Sequence, residues 1–208
     1  MKIMLIDTTT SIVTVSIVDN DKILYKFHEQ IENDMASKIM SIIDDAFKNA
    51  GINLNAIDKI LVATGPGSFT GIRVGVTIAK TIAWALKKDI ISISSLELMS
   101  TTNTDKKYLV PMIDARRGNV FAGIYDTQLN LIKSDKLVSL NELVENLDSS
   151  YEFISYDNIE IDGLVNPDID ILKIVCKHKD DESLNPHNVN PIYLKLTEAE
   201  EKREKIEE

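Results

Sequence analysis

Apolar and polar positions alternate through three short runs at the start of the chain, Lys2–Asp7, Ile12–Val18 and Lys22–His28. Ile3 and Leu5, then Val13, Val15 and Ile17, recur at period two, the pattern of strands buried on one face. Thr8–Ser11 and Asp19-Asn20-Asp21 separate the runs, and the second separator is a tight-turn signal, so the segment predicts an antiparallel meander. After Asn33 or Asp34, either of them an N-cap residue type, the spacing turns helical through Met35, Ile39, Ile42, Ile43, Ala46 and Phe47, and Gly51 closes it. Ile60–Ala63 is a continuous apolar run of the buried, parallel type. A helix to about Leu86, a strand over Ile90–Ser94 and a short helix around Leu96–Ser100 follow. Three antiparallel strands, then helix, strand, helix, strand, describe a mixed sheet whose parallel strands are reached through crossover helices, an α/β unit.

The polar patch Thr101–Lys107 reads as a linker, and beyond it the pattern starts again. Strands are predicted over Leu109–Ile113, Asn119–Tyr125 and Leu129–Lys133, with Asp114-Ala115-Arg116-Arg117-Gly118 turning between the first two. Ser139–Leu147 predicts a helix with Ser139 as N-cap and Glu142 at the capping-box position. Phe153-Ile154 predicts a strand, Ile169–His178 a short helix and Pro191–Lys195 a final extended segment. The second half thus replays the first in shortened form. The expected organisation is an N-terminal α/β lobe over 1–103, a reduced C-terminal α/β lobe over 104–197 and a charged tail over 198–208.

The segment Gly65-Pro66-Gly67-Ser68-Phe69-Thr70-Gly71-Ile72-Arg73-Val74-Gly75 joins a strand end to a helix start. Amide N–H groups at such a junction can cradle phosphate. No Lys-Ser/Thr pair closes the loop and the glycine spacing is not that of a dinucleotide fingerprint. The competing reading is packing, and it carries further. Gly71, Gly75, Ala79 and Ala83 recur every four residues, a ridge of small side chains that admits a neighbouring helix, from this chain or from a partner. Glycine inside a helix costs about 1 kcal/mol relative to alanine, so close backbone contact is expected in return. Arg73, Thr77, Lys80 and Trp84 form a polar stripe opposite the ridge.

With 44% hydrophobic residues in a chain of 208, a sizeable core is expected and dominant disorder is excluded. One cysteine, Cys176, excludes an internal disulfide and is read as a small core-filling residue. The N-terminus lacks a signal-peptide apolar region, and no run of about 18 apolar residues predicts a membrane span, so a cytoplasmic protein is expected. The net charge of −10, without a basic stripe, argues against strong direct binding of nucleic acid. The three histidines, His28, His178 and His187, include no i, i+4 pair, and no metal site is expected. No serine stands in a nucleophile elbow. His28 reads as an edge residue rather than a base. Asp7, at the end of the first strand, is the best single candidate for chemistry, although a turn or cap role fits a strand-end aspartate equally. Arg116 and Arg117 suit either an anion or a salt-bridged hairpin.

Four segments, in order, carry a resemblance: Ile6-Asp7-Thr8-Thr9-Thr10, Gly65–Gly75, Asp114–Gly118 with the strand after it, and Pro191-Ile192-Tyr193-Leu194-Lys195. Together they make the chain similar, over nearly its whole length, to the TsaB (YeaZ) family of bacterial tRNA threonylcarbamoyladenosine biosynthesis proteins. The resemblance implies the two-lobed α/β fold of actin, the Hsp70 ATPase and sugar kinases, with a reduced second lobe. It also implies a non-catalytic paralogue of TsaD. That enzyme transfers a threonylcarbamoyl group from its adenylate, made by TsaC, to the adenosine beside the anticodon in tRNAs reading codons that begin with A. The implied partners are TsaD, the ATPase TsaE and, in their absence, a second copy of the chain. No cofactor is implied.

The resemblance places the docking surface on the two N-lobe helices, through Met35, Ile39, Ile42, Gly71, Arg73, Val74, Gly75, Ile78, Ala79 and Ile82. On this reading Gly75→Leu weakens partner binding and leaves the monomer folded. Asp7, Gly65, Gly67, Ser68, Arg116 and Arg117 are the candidates for contact with an anion or nucleotide. ATP-binding members of the fold carry Asp-x-Gly-Thr in the first hairpin, where this chain has Asp7-Thr8-Thr9-Thr10; a β-branched side chain there is expected to crowd phosphates. Met35-Ala36 replaces the His-Ser pair of many members, and Lys195 their final Arg. The rival readings are a small ATP-dependent kinase of the same fold, a protease acting on its paralogue, and a homodimeric interaction module.

Overall fold

A computed structural model of the chain describes residues 1–31 and 34–195. Strands β1 (Lys2–Asp7), β2 (Ile12–Asp19) and β3 (Lys22–Gln30) form the expected meander, followed by helix α1 (Met35–Ala50), β4 (Lys59–Ala63), α2 (Phe69–Leu86), β5 (Asp89–Ile93) and α3 (Ser95–Met99). The first sheet runs β3-β2-β1-β4-β5, with β1, β4 and β5 parallel. Then come β6 (Tyr108–Asp114), β7 (Asn119–Asp126), β8 (Leu131–Ser139), α4 (Leu140–Glu145), β9 (Tyr151–Ile154) and α5 (Ile171–His178). The second sheet runs β8-β7-β6-β9, with β6 parallel to β9, which repeats the order β3-β2-β1-β4 of the first. This duplicated, mixed-sheet α/β architecture is the fold the resemblance implied, with a second sheet one strand shorter.

The period-two pattern predicts strands buried on one face, and in β1 and β2 the structure buries both. Met4, Ile6, Val13, Val15 and Ile17 lie beneath α1 and α2, against Ile39, Ile43, Ile72 and Val76. On the opposite face, Ile3, Leu5 and Val18 pack with Leu129, Ile171, Ile174 and Val175, so α5 returns from the second half of the sequence to cover the first sheet. Ile3, Met4, Leu5 and Ile6 are wholly buried. Together they contribute about 6–12 kcal/mol of gross transfer free energy, which makes β1 the anchor of the molecule. Among the described residues α2 alone has the length and apolarity to cross a membrane, but its apolar side is packed on the first sheet.

Several local expectations are corrected. The cap candidate Asn33 and the charged tail lie outside the described residues. Asp34 adopts a left-handed conformation (φ 56°) and makes no side-chain cap; its carbonyl instead accepts from the N–H and hydroxyl of Ser37. Ser139 precedes α4 but makes no cap hydrogen bond either. Thr101 and Thr102 belong to no linker: both are buried, and their hydroxyls donate back to Leu98 and Met99 and accept from the N–H groups of Asp170 and Asp168. Cys176 faces solvent on α5 rather than filling the core.

Residues 186–195 form no strand. They follow the outer flank of α2 from end to end, with His187 beside Trp84, Tyr193 on Phe69, and the Lys195 Nζ donating to the Ala115 carbonyl at 3.0 Å.

Candidate functional site

The glycine end of the small-residue ridge of α2 is taken up by the turn after β1, while Ala79 and Ala83 are buried in the core against the first sheet. The Thr8 hydroxyl donates to the Gly71 carbonyl at 2.7 Å, and a Cβ on Gly71 would overlap the Thr8 carbonyl. A Cβ on Gly75 would meet the Thr8 hydroxyl, and one on Gly67 the Thr9 carbonyl. Ser68 donates its N–H to that carbonyl at 2.6 Å, and its own Oγ caps Gly71 at 3.2 Å. Gly65 enters a cis bond to Pro66 and packs against the Ile192 carbonyl. Gly67 and Gly71 are therefore required by backbone approach between the turn after β1 and the start of α2, Gly75 by the Thr8 hydroxyl and Gly65 by the Ile192 carbonyl; the space that Gly75→Leu needs to spare the monomer is already occupied. Ile39, Gly71, Gly75, Ala79 and Ile82 are buried in the chain's own interior and present no surface to a partner.

Of the expected docking set, Met35, Ile42, Val74 and Ile78 are half-buried and Arg73 is exposed. The outward face of α2 holds more than the sequence pattern assigned to it. Phe69 stacks on Tyr193 with ring centroids 4.9 Å apart. The Arg73 guanidinium lies 3.8 Å above the Phe69 ring and donates to the Tyr193 hydroxyl at 2.7 Å. Three turns on, Trp84 is 64% exposed, with the His187 ring edge-on at 6.4 Å. Lys80 donates to the His187 carbonyl. Trp84 and Arg73 were legible as a polar stripe. Phe69 and Tyr193 were not, because 120 residues separate Tyr193 from Arg73 and only tertiary structure joins them.

Between the two sheets lies a cleft of about 420 Å³, lined by Thr9, Thr10, Gly67, Ser68, Asp114, Arg116, Asp157 and Lys195 among others. It gathers three of the six anion candidates, Gly67, Ser68 and Arg116. Gly65 is buried beside it, and Arg117 occupies the next position of the turn, where both arginines have positive φ (66° and 56°). Two cations, Arg116 and Lys195, thus face two carboxylates, Asp114 and Asp157. Burial raises the pKa of Asp157 against the lowering effect of the Asp114 N–H, which donates to it at 2.8 Å.

Asp7 is not among the lining residues. It is buried, and its Oδ1 accepts from the Thr9 N–H at 2.8 Å and the Thr9 hydroxyl at 2.7 Å. Desolvation outweighs these two bonds and pushes its pKa up to about 6. Thr9 stands where the ATP-binding pattern has glycine, and its hydroxyl is committed to this carboxylate. Thr9, whose β-branch was expected to crowd phosphates, lines the cleft, while Thr8 faces α2. His28 is half-buried, with Nδ1 2.9 Å from the Thr14 hydroxyl and Nε2 3.3 Å from the Tyr156 hydroxyl. Burial, followed by the charge of Lys26, lowers its pKa. Among the described residues no group of three His, Cys, Asp or Glu side chains is placed to hold a metal ion.

Residues 29–162 match the family model described as TsaD, tRNA N6-adenosine threonylcarbamoyltransferase. The chain is 30% identical to the tRNA threonylcarbamoyladenosine biosynthesis protein TsaB of Bacillus subtilis (strain 168), over 97% of both chains. It is 30% identical to the protein of the same name from Escherichia coli (strain K12), over 62% of this chain and 57% of that one. The solved structure of YeaZ from Pseudomonas aeruginosa superposes with a TM-score of 0.78, at 20% identity, covering 93% of this chain and 99% of that one, and shows the same fold. With a relative at this identity matched from end to end, the chain belongs to the TsaB family and has its role in tRNA threonylcarbamoyladenosine biosynthesis.

Proposed function

We propose that the chain is a non-catalytic scaffold and activator subunit that binds a TsaD-like paralogue, works with a TsaE-like ATPase, and pairs with a second copy of itself when alone. The observation that carries this reading is the outward face of α2. Its buried side is fully used by the chain's own first sheet, while Phe69, Arg73, Trp84 and Tyr193 stand exposed in one row. Half-buried Val74 and Ile78 of α2, and Met35 and Ile42 of α1, lie alongside. Aromatic and arginine side chains are the residue types that dominate interface energetics. The commitment of Asp7 to Thr9 supports the non-catalytic part, because the best-placed carboxylate is turned from the cleft and desolvated.

Calorimetric titration of the chain into its TsaD-like paralogue tests the proposal, with Trp84→Ala as the variant, since an exposed side chain can be removed without disturbing the core. Loss of an interface tryptophan is expected to weaken binding about tenfold or more. Omitting the chain from a reconstituted threonylcarbamoylation reaction is expected to abolish transfer to tRNA. Unaltered affinity of Trp84→Ala, or ATP turnover by the isolated chain, overturns the proposal.

A further inference from the structure

In a regular strand, residues three apart point to opposite faces of the sheet. Lys133 and Lys136 of β8 do not. Lys136 pairs with Ala122 and Lys133 with Ile124, so Ser134 and Asp135 together oppose the single residue Gly123. This is a bulge, and its extra residue restores Lys133 to the face that carries Lys136, Ala122 and Ile124. Asp135 is turned to the other side, where it accepts hydrogen bonds from Tyr125 (2.7 Å) and Ser94. Gly123 is required there, since a Cβ would overlap the Asp135 carboxylate.

The face so formed is incompletely covered. Helix α4 has only six residues. Beside it lies a cavity of about 270 Å³, floored by Ala122, Ile124, Val138, Leu143 and Leu147. Lys133 and Lys136 stand at its rim, exposed, and neither makes an ion pair or side-chain hydrogen bond among the described residues. Glu142 and Asn146 line the α4 side. Glu142 lies beyond ion-pair distance of both lysines, so the rim keeps a net positive charge. An apolar floor with a few converging polar groups at its mouth is the usual form of a small-ligand site, and this volume is near the lower end of the range.

We propose that this cavity binds a small monocarboxylate with an apolar tail. Lys133 and Lys136 hold the carboxylate, and the tail lies on Ala122 and Val138 between the strands and α4. The site is on the second sheet and does not depend on the docking proposed for α1 and α2.

Two-dimensional NMR of the full chain titrated with sodium hexanoate tests this, with acetate as the tail-less control and hexylamine as the charge-reversed one. Saturable shifts confined to β7, β8 and α4 are expected for hexanoate, with binding about tenfold or more weaker for acetate and hexylamine. Lys133→Gln combined with Lys136→Gln alters only exposed side chains and is expected to lower hexanoate affinity by at least about tenfold. Ala122→Leu, which fills the floor, gives a second check if the variant folds. Non-saturable shifts up to millimolar hexanoate, equal response to hexylamine, or unchanged affinity of the double lysine variant each overturn the proposal.

Discussion

Gly71 and Gly75 sit where α2 meets Thr8 in the turn after β1, and neither has room for a single added carbon. Gly71→Ala sets a methyl group against the Thr8 carbonyl, part of a backbone held by its neighbours, and is expected to cost about 1–3 kcal/mol despite alanine's better helix propensity. The midpoint of urea unfolding measures this; a stability equal to the parent would mean that the turn gives way freely. Asp7 supplies a second residue-level outcome. Its folded pKa, raised to about 6, exceeds the ordinary 3.8, so its contribution to stability is complete below 3.8 and disappears as pH rises through 6. Asp7→Asn keeps an oxygen for both Thr9 bonds and carries no charge. It is expected to be more stable than the parent by about 1–3 kcal/mol at pH 8 and to lose that advantage at pH 4. Equal unfolding midpoints at pH 8 would refute the desolvation of this carboxylate.

At the level of elements, α5 is tied down by charge as well as by apolar packing. Glu97 of α3 receives Lys177 Nζ at 2.5 Å and lies 3.0 Å from His178 Nε2, while His178 Nδ1 lies 2.7 Å from Asp181. Lys59 of β4 donates to the Lys179 and Asp181 carbonyls just past the end of α5. Burial opposes the charge on His178, but Glu97 and Asp181 outweigh it and raise the pKa above its ordinary 6.5. Burial likewise opposes the charge on Glu97, and His178 and Lys177 together bring its pKa below 4.5. The stability from His178 is thus lost as pH rises through its raised value, and that from Glu97 as pH falls through its lowered one. Glu97→Gln is expected to cost about 2–3 kcal/mol near pH 6 and less in alkaline solution, where only the Lys177 contact is forfeited. Denaturation across pH 5–9 checks the slope, and a constant cost would argue against a charged imidazole. Most elements were legible from periodicity, including the meander, both long helices and the parallel strands. The cover over the second face of β1 and β2 was not, because Thr14 and Ser16 present as solvent-facing polar positions. They are in fact buried, and the Ser16 hydroxyl bonds to the Tyr25 carbonyl.

For the whole molecule, the repeated sheet order followed from strand count and crossover helices, and the family from four short motifs. The site was legible only in part. Gly67, Ser68 and Arg116 meet in one cleft as their motifs suggested, yet the glycine ridge was assigned to a partner although the chain's own Thr8 fills it. Four-residue spacing shows that something must come close and does not say from where. The same limit hid residues 186–195, whose Tyr193 completes the exposed row on α2. Positions far apart in sequence meet there, and no local pattern records the meeting.

The return of α5 to the first sheet has a bearing on how the polypeptide is born. Ile3, Leu5 and Val18 emerge from the ribosome more than 150 residues ahead of Ile171, Ile174 and Val175, which shield them. Throughout that interval the N-terminal sheet has a bare oily side. At a synthesis rate of about 5–20 residues per second, it waits for roughly eight to thirty seconds, a window in which a chaperone or a second nascent chain competes for the place that α5 later fills.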